Sequence, residues 1–366
     1  MFHVKHLLFM FHVKHGKEKT MNLYTADGWI NIEEISKLDC WLYVIVGPRQ
    51  VGKTYGILKH FVKNNIHGIY LRRTADELDL ISSNEDLNPF LPLAKEGYNV
   101  DILKAGKNVY QWGDVDIEND RRQIINNRGL GLSLGTIAKM RGFSGGSFTD
   151  IFLDEFIPEK TVIKRKNEGD AVLNAYTTIN GNRELFGKPP LKMWLAANAF
   201  DINNDILQTL GLSAEIEKMQ RRGQEWKIIR GGVFLAYPKS DRIIKKRSET
   251  ALMSYLRKNK AGGRFMSTAL ENKFAYDNLD LIRPKSIKGY HFLARLGEIY
   301  IWENGNSLYC CKSKYWGGLQ YEDTPEDRVR CQLELPEIRM LYNTGYVTFS
   351  DVETLLTFRK YFDIKS

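Results

Sequence analysis

The sequence predicts an α/β protein in two parts: a parallel-rich sheet domain over residues 21–204 and a smaller, β-rich α+β domain over 229–366, joined by a linker at 205–228. Three observations lead there. The apolar run Trp41–Val46 leads straight into Gly47-Pro-Arg-Gln-Val-Gly-Lys-Thr54, the G-x-x-x-x-G-K-T pattern of a phosphate-binding loop. Further short apolar runs alternate with helical patterns as far as Phe200, which is how a parallel sheet flanked by helices reads. Beyond Asp201 the texture changes to a polar, basic stretch and then to short strand-like runs with hairpin signals.

The first residues carry a repeat, Phe2-His-Val-Lys-His6 and Phe11-His-Val-Lys-His15, each copy preceded by Met. Its His-x-x-His pairs have no Cys or carboxylate beside them, which argues against a metal site. One legal coding of Met-Phe-His-Val-Lys-His, ATGTTTCACGTGAAACAT, is its own reverse complement. Residues 1–20 therefore read as a translated DNA element and are expected to be a disordered tail ahead of Met21. After the strand at Trp41–Val46, a helix is expected over Tyr55–Val62 and a second strand over Gly68–Arg73. Thr74 with Glu77 three residues on forms a helix-capping pair. Residues 100–137 read as hairpin-like strands and turns, one of them at Asn126-Asn-Arg-Gly129. Buried strands follow at Asp150–Phe156 and Leu191–Asn198, with a helix at Ala171–Arg183 between them. The later strand-like runs are Ile228-Ile229, Gly232–Tyr237, Gly289–Ala294 and Glu298–Trp302, the last followed by an Asn-Gly turn.

At 366 residues, 43% hydrophobic and 27% charged, the chain has the composition of a globular protein that needs no covalent staples. Its longest apolar run has six residues, against the ~20 of a membrane span. Cys40, Cys310, Cys311 and Cys331 lack C-x-x-C spacing and include an adjacent pair that bridges poorly, as expected of a reducing cytoplasm. Net charge is +9, and residues 201–290 hold 18 Lys and Arg against 10 Asp and Glu. That concentration suits a polyanionic partner, with Arg221, Arg222, Lys245, Lys246 and Arg247 the densest groups and the candidates for DNA binding.

The phosphate-binding loop assigns ATP as ligand. Gly47, Arg49, Gln50, Val51 and Gly52 supply the loop, Lys53 reaches the β/γ-phosphates and Thr54 binds Mg²⁺. Hydrolysis also needs a metal-side carboxylate and a group to activate water. Asp154 and Glu155, at the tip of the apolar strand 150–153, fit those two roles. The 101-residue separation of Lys53 from Asp154 leaves room for an intervening strand, as in the RecA-like branch of P-loop ATPases. Asn198 ends the next strand, where it could sense the γ-phosphate or satisfy backbone groups. Arg49 is catalytic or pairs with an acid. Arg141 and Arg183 are candidates for an arginine donated to a neighbouring subunit's site, or are surface ion-pair partners.

GPRQVGKT, Ile69-Tyr-Leu-Arg-Arg73, Phe152-Leu-Asp-Glu-Phe-Ile157, Asn182-Arg-Glu184, Leu195-Ala-Ala-Asn-Ala199 and Asn272-Lys-Phe-Ala-Tyr-Asp277 together resemble the DNA-packaging (encapsidation) ATPases of phi29-like short-tailed bacteriophages, from Met21 to Lys314 in the same order. The resemblance implies a homomeric ring, typically a pentamer, on the portal of an empty capsid in the host cytoplasm, driving double-stranded DNA through its pore. It leaves open a structural packaging RNA. It also implies an RNase H-like second domain without nuclease activity. By position Lys53 and Thr54 hold phosphate and Mg²⁺, Asp154 is the metal-side carboxylate, Glu155 the base, and Arg141 acts on the next subunit's site. The family's proposed arginine finger falls on Gly181, which makes Arg183 the substitute. Two other readings stand beside this one. A terminase large subunit with a working nuclease would need metal-binding carboxylates from Asp277, Asp280, Glu298 and Glu303. A non-motor, DNA-associated regulatory ATPase would respond to DNA without a portal.

Overall fold

The structure, a computed structural model, describes residues 21–118, 121–137, 139–140, 145–159, 167–199, 202–259 and 279–364. The His-containing repeat, Arg141, the 272–277 motif and Asp277 lie outside the described residues.

The described strands form two sheets. The first contains β1 (Leu42–Gly47), β2 (Gly68–Arg72), β3 (Val100–Gly106), β4 (Val109–Glu118), β5 (Arg121–Ser133), β6 (Asp150–Asp154), β7 (Lys192–Asn198), β8 (Trp226–Ile229) and β9 (Val233–Ala236). Their order is β3-β4-β5-β2-β6-β7-β1-β9-β8. From β5 to β9 all neighbours run parallel, while β3-β4-β5 and β8-β9 pair antiparallel at the two edges. All six residues of β1 and all five of β6 are buried, as a parallel strand covered on both faces must be.

The period-2 alternation divides the core. Val44, Val46, Leu71, Leu153 and Leu195 point to one face, and Tyr43, Ile45, Tyr70, Phe152 and Trp194 to the other. On that second face Tyr43 stacks on Trp194 with ring centroids 4.0 Å apart, and α1 (Ile32–Ile35), α2 (Lys53–Lys63), α3 (Ala75–Ser83) and α4 (Leu91–Lys95) cover it. Helices α5 (Leu134–Ile137), α6 (Glu168–Asn180), α7 (Asp205–Thr209) and α8 (Ser213–Arg222) cover the first face. Thr74 caps α3 by accepting from the Glu77 amide, as the sequence predicts.

Two expectations need correction. Asn126–Gly129 is not a turn: it lies inside β5, where the pairing with β4 shifts register twice. A side chain at Gly113 would meet the Asn126 carbonyl, so glycine permits that close approach. Residues 205–228 are not a linker either, and the second domain does not begin at 229. Ile206, Leu207, Ile216 and Met219 of α7 and α8 are fully buried, and β9 pairs parallel with β1 in the first sheet. The polar outer face of α8 gave this stretch its linker-like composition, while its apolar positions recur at helical spacing.

Helices α9 (Asp241–Ser248) and α10 (Ala251–Lys258) follow β9. The second sheet holds β10 (His291–Leu296), β11 (Ile299–Asn304), β12 (Ser307–Cys311), β13 (Leu319–Tyr321) and β14 (Val347–Phe349), in the order β13-β10-β11-β12-β14. The first three form an antiparallel meander, with the predicted turn falling between β11 and β12. Strands β13 and β14 are added in parallel at its edges. Cys310 and Cys311 face opposite sides of β12, which keeps both thiols free. Helices α11 (Pro325–Glu334), α12 (Glu337–Asn343) and α13 (Val352–Tyr361) pack on one face, and α13 also packs on α8, joining the two cores.

Candidate nucleotide site

Parallel strands bring their carboxyl ends to one edge, and ligands bind there. Strand β7 separates β1 from β6, and register aligns Gly47 with Asn198 and Asp154 with Ala196. The phosphate loop, the acidic pair and Asn198, far apart in sequence, thus share one rim. Loop residues, Glu155 and Asn198 line a cavity of about 630 Å³ together with Arg72, Arg73 and Glu159, while Asp154 is bonded to the lining residues Thr54 and Arg72.

The loop geometry depends on its glycines. Gly52 caps α2 with φ +85°, a conformation that disfavours any side chain, and a Cβ on Gly47 would lie 2.9 Å from Pro238. Gln50 also adopts a left-handed φ of +58°. Lys53 is buried at the start of α2 and donates to the carbonyls of Gly47 (3.2 Å) and Pro48 (2.7 Å) and to Asn198 Oδ1 (3.0 Å). Burial pulls its pKa down to about 8, against the opposing pull of Glu155 and Asp154. Thr54 Oγ1 donates to Asp154 Oδ1 at 2.8 Å. The other Asp154 oxygen accepts from Tyr70 OH (3.1 Å) and Arg72 Nη1 (3.3 Å), so the carboxylate is held from both sides.

Glu155 follows with φ +52°, an uncommon conformation for a residue with a side chain and of the kind stored at functional sites. Burial, then the neighbouring Asp154, raises its pKa above the ordinary carboxylate range, while Lys53, Arg72 and Arg49 oppose the shift. Asn198 Nδ2 lies 3.1 Å from each Glu155 oxygen. One amide therefore bridges the lysine and the acid.

Arg49 forms an ion pair with Glu159, the acid-pairing alternative of its sequence reading. Arg183 is half-buried, and its Nη1 donates to the Phe148 carbonyl at 2.6 Å, just before β6 begins. It therefore sits at the opposite edge of the sheet from the phosphate loop of its own chain. The candidate DNA-binding groups separate. Arg222, Lys245 and Lys246 are exposed, whereas Arg221 pairs at 2.5 Å with the buried Glu217. Arg247 is turned toward the phosphate loop, its Nη1 donating to the Arg49 carbonyl at 2.7 Å.

Sequence reasoning missed Arg72 and Arg73 as site residues. Arg73 is buried in an ion pair with Glu168 at 2.8 Å, and Arg72 bridges Asp154 to Glu77. The signal was present: two arginines end an apolar parallel strand, where site residues collect.

The strand order, with β7 between the phosphate-loop strand β1 and the acidic strand β6, is the arrangement expected of a RecA-like P-loop fold. Two solved structures share the fold. A chain of the bacteriophage phi-29 viral genome packaging motor assembly superimposes with a TM-score of 0.61 at 19% identity, covering 93% of this chain and 100% of that one. The phi-28 gp11 DNA packaging motor gives 0.55 at 16% identity, with the same coverages. No family profile matches the chain. No curated protein matches it in sequence.

Proposed function

We propose that the chain is the ATPase of a viral DNA-packaging motor, hydrolysing ATP to drive double-stranded DNA into a procapsid. The observation that carries the chemistry is the Asn198 bridge, which joins a phosphate-binding lysine to a buried carboxylate beside a Thr–Asp pair. The fold shared with the phi-29 and phi-28 motor chains over the whole of their length and 93% of this chain supports the assignment to packaging.

Lys53 and the loop amides bind the β- and γ-phosphates. Thr54 Oγ1 and Asp154 Oδ1 fit a Mg²⁺ site, being two oxygen donors side by side on the rim, one of them an anion. Bound there, Mg²⁺ would neutralise charge on the β,γ-phosphate oxygens. Glu155 takes a proton from the attacking water, and its raised pKa makes it a better acceptor than an exposed glutamate. Asn198 meanwhile ties base to lysine. A γ-phosphate that takes up Lys53 leaves the Asn198 amide donating to Glu155, so Asn198 goes on positioning the base while the lysine holds phosphate.

The remaining assignments extend this reading. A ring would complete each site with an arginine of the adjacent subunit. Arg183 can serve only a neighbour, because it lies at the far edge of its own sheet. Leu185 and Phe186 beside it are 83% and 79% exposed, which suits a subunit contact. Portal vertex, pentameric stoichiometry and any packaging RNA belong to the same proposal, as does action in the host cytoplasm; no described helix is long and apolar enough to cross a membrane. The β10-β11-β12 meander with β13 added beside its first strand supports an RNase H-like origin for the second sheet. A working nuclease is not favoured: Glu298 precedes β11 and Glu303 lies near its far end, about 17 Å apart along an extended strand.

The test is packaging itself. Procapsids bearing a portal should protect double-stranded DNA from nuclease only with this protein and ATP, and portals should stimulate hydrolysis beyond DNA alone. Equal stimulation by DNA without portals would favour the regulatory ATPase.

A further inference from the structure

Arg247 lies 198 residues from Arg49 in sequence, on the helix that leaves the first sheet toward the second, yet it donates to a carbonyl of the phosphate loop at 2.7 Å. That carbonyl belongs to the peptide joining Arg49 to Gln50. In a trans peptide the carbonyl and the amide hydrogen point in opposite directions. Drawing the Arg49 oxygen toward α9 therefore turns the Gln50 N–H the other way, and no described peptide is cis. A phosphate loop works by pointing consecutive amides at its anion.

Gln50 itself carries the strain, with φ at +58°. A residue with a side chain holds a left-handed conformation only when its surroundings over-determine it. The loop is gripped from two sides. The Ile30 amide donates to the Val51 carbonyl at 3.0 Å, and Arg247 holds the Arg49–Gln50 peptide on the other side of Gln50. Helix α9 is in turn fixed at its start, where Ser240 Oγ donates to the Gly28 carbonyl at 2.6 Å and Arg242 donates to the Ala26 carbonyl.

We propose that Arg247 is a positioning residue that locks the Arg49–Gln50 peptide with its amide facing the phosphates, so that the position of α9 sets nucleotide affinity. The inference rests on the ATP-binding reading above and assigns Arg247 away from DNA. Burial, and then the like charge of Arg49, lowers the pKa of Arg247, as expected of a guanidinium drawn out of water beside another cation. Coupling follows directly: displacement of α9 withdraws the hydrogen bond and lets Gln50 relax.

A double-mutant cycle tests this with a fluorescent, nonhydrolysable ATP analogue and steady-state hydrolysis. Arg247→Ala should weaken analogue binding about tenfold, the scale of one charge-assisted hydrogen bond, and raise KM with little change in kcat. Gln50→Gly removes the strain, because glycine adopts positive φ freely, so Arg247→Ala in that background should cost less than about threefold. Arg247→Lys, which retains a donor, should lose less than Arg247→Ala and show the same attenuation, and it supplies the cycle should the alanine variant fail to fold. Fully additive losses, or unchanged affinity in either Arg247 variant, would overturn the proposal. Lys53→Ala separates the two levels: if it binds the analogue like wild type, the ATP-site reading falls and this inference with it. Loss in Lys53→Ala beside normal binding in the Arg247 variants sinks only the role of Arg247.

Discussion

The two sheets differ in where they concentrate polar chemistry. The first sheet brings Lys53, Asp154, Glu155 and Asn198 to the carboxyl ends of three adjacent parallel strands, buried and tied to one another. The second places its carboxylates apart: Glu353 pairs with Lys312, and Asp323 with Arg328 and Lys360. Among the described residues no group of three or more His, Cys, Asp and Glu is placed to hold a metal. Parallel strands converge functional groups because all their carboxyl ends share one rim, whereas a meander alternates the ends. The comparison teaches that, among the described residues, the first sheet gathers its polar groups on one rim, which is why the proposed catalysis is assigned to it and the second sheet is read as scaffold or contact surface.

The largest expected effects would break that comparison. Glu155→Gln should keep nucleotide binding and lower turnover by about 10²–10⁴-fold, since the amide cannot accept a proton, while Lys53→Ala should lose both. Wild-type turnover in the glutamine variant, read by phosphate release, would remove the base from the first sheet. Glu298→Gln with Glu303→Gln should leave turnover unchanged.

Asn198→Ala should lower kcat by about tenfold, as expected for a lost positioning hydrogen bond to a charged group. Nucleotide affinity should hold, since Lys53 keeps its loop contacts. A loss confined to affinity would make Asn198 a binding residue only.

The pH profile sharpens the site further. Lys53 must be charged to hold phosphate, and burial brings its pKa to about 8. In the free enzyme kcat/KM should therefore decline as pH rises through that value. Glu155 must be deprotonated, and its pKa is raised, so the acid limb should lie above the ordinary carboxylate range. An acid limb at ordinary carboxylate pH would contradict the buried base.

The smallest effect concerns DNA. With Arg247 bonded to the phosphate loop, neutralising exposed Lys245 and Lys246 should reduce the slope of log affinity against log salt by at most about two units. An unchanged slope would move the DNA-gripping surface off α9.

Much of this was legible in the sequence. The phosphate loop, the acidic strand end and Asn198 announce themselves because each is a short motif on a buried strand, and all three meet where expected. What stayed hidden was long-range pairing. Ile228-Ile229 and Gly232–Tyr237 read as strand-like runs and β8 and β9 fall there, but nothing local says that Val233 pairs with Leu42. The inward turn of Arg247 was masked by two exposed lysines beside it, since a charge run states composition and not direction. Arg183 was legible as a site candidate, but its hold on Phe148 was not.

The late arrival of β9 bears on how the chain is made. Leu42 waits for Val233, 191 positions later. At ribosomal rates of about 5–20 residues per second that is about 10–40 s. Throughout that interval the apolar strand carrying the phosphate loop has an open edge, an invitation to intermolecular pairing. Synthesis therefore passes through a vulnerable window in which the catalytic strand must be shielded, and a chain interrupted near residue 204 would be left in it permanently.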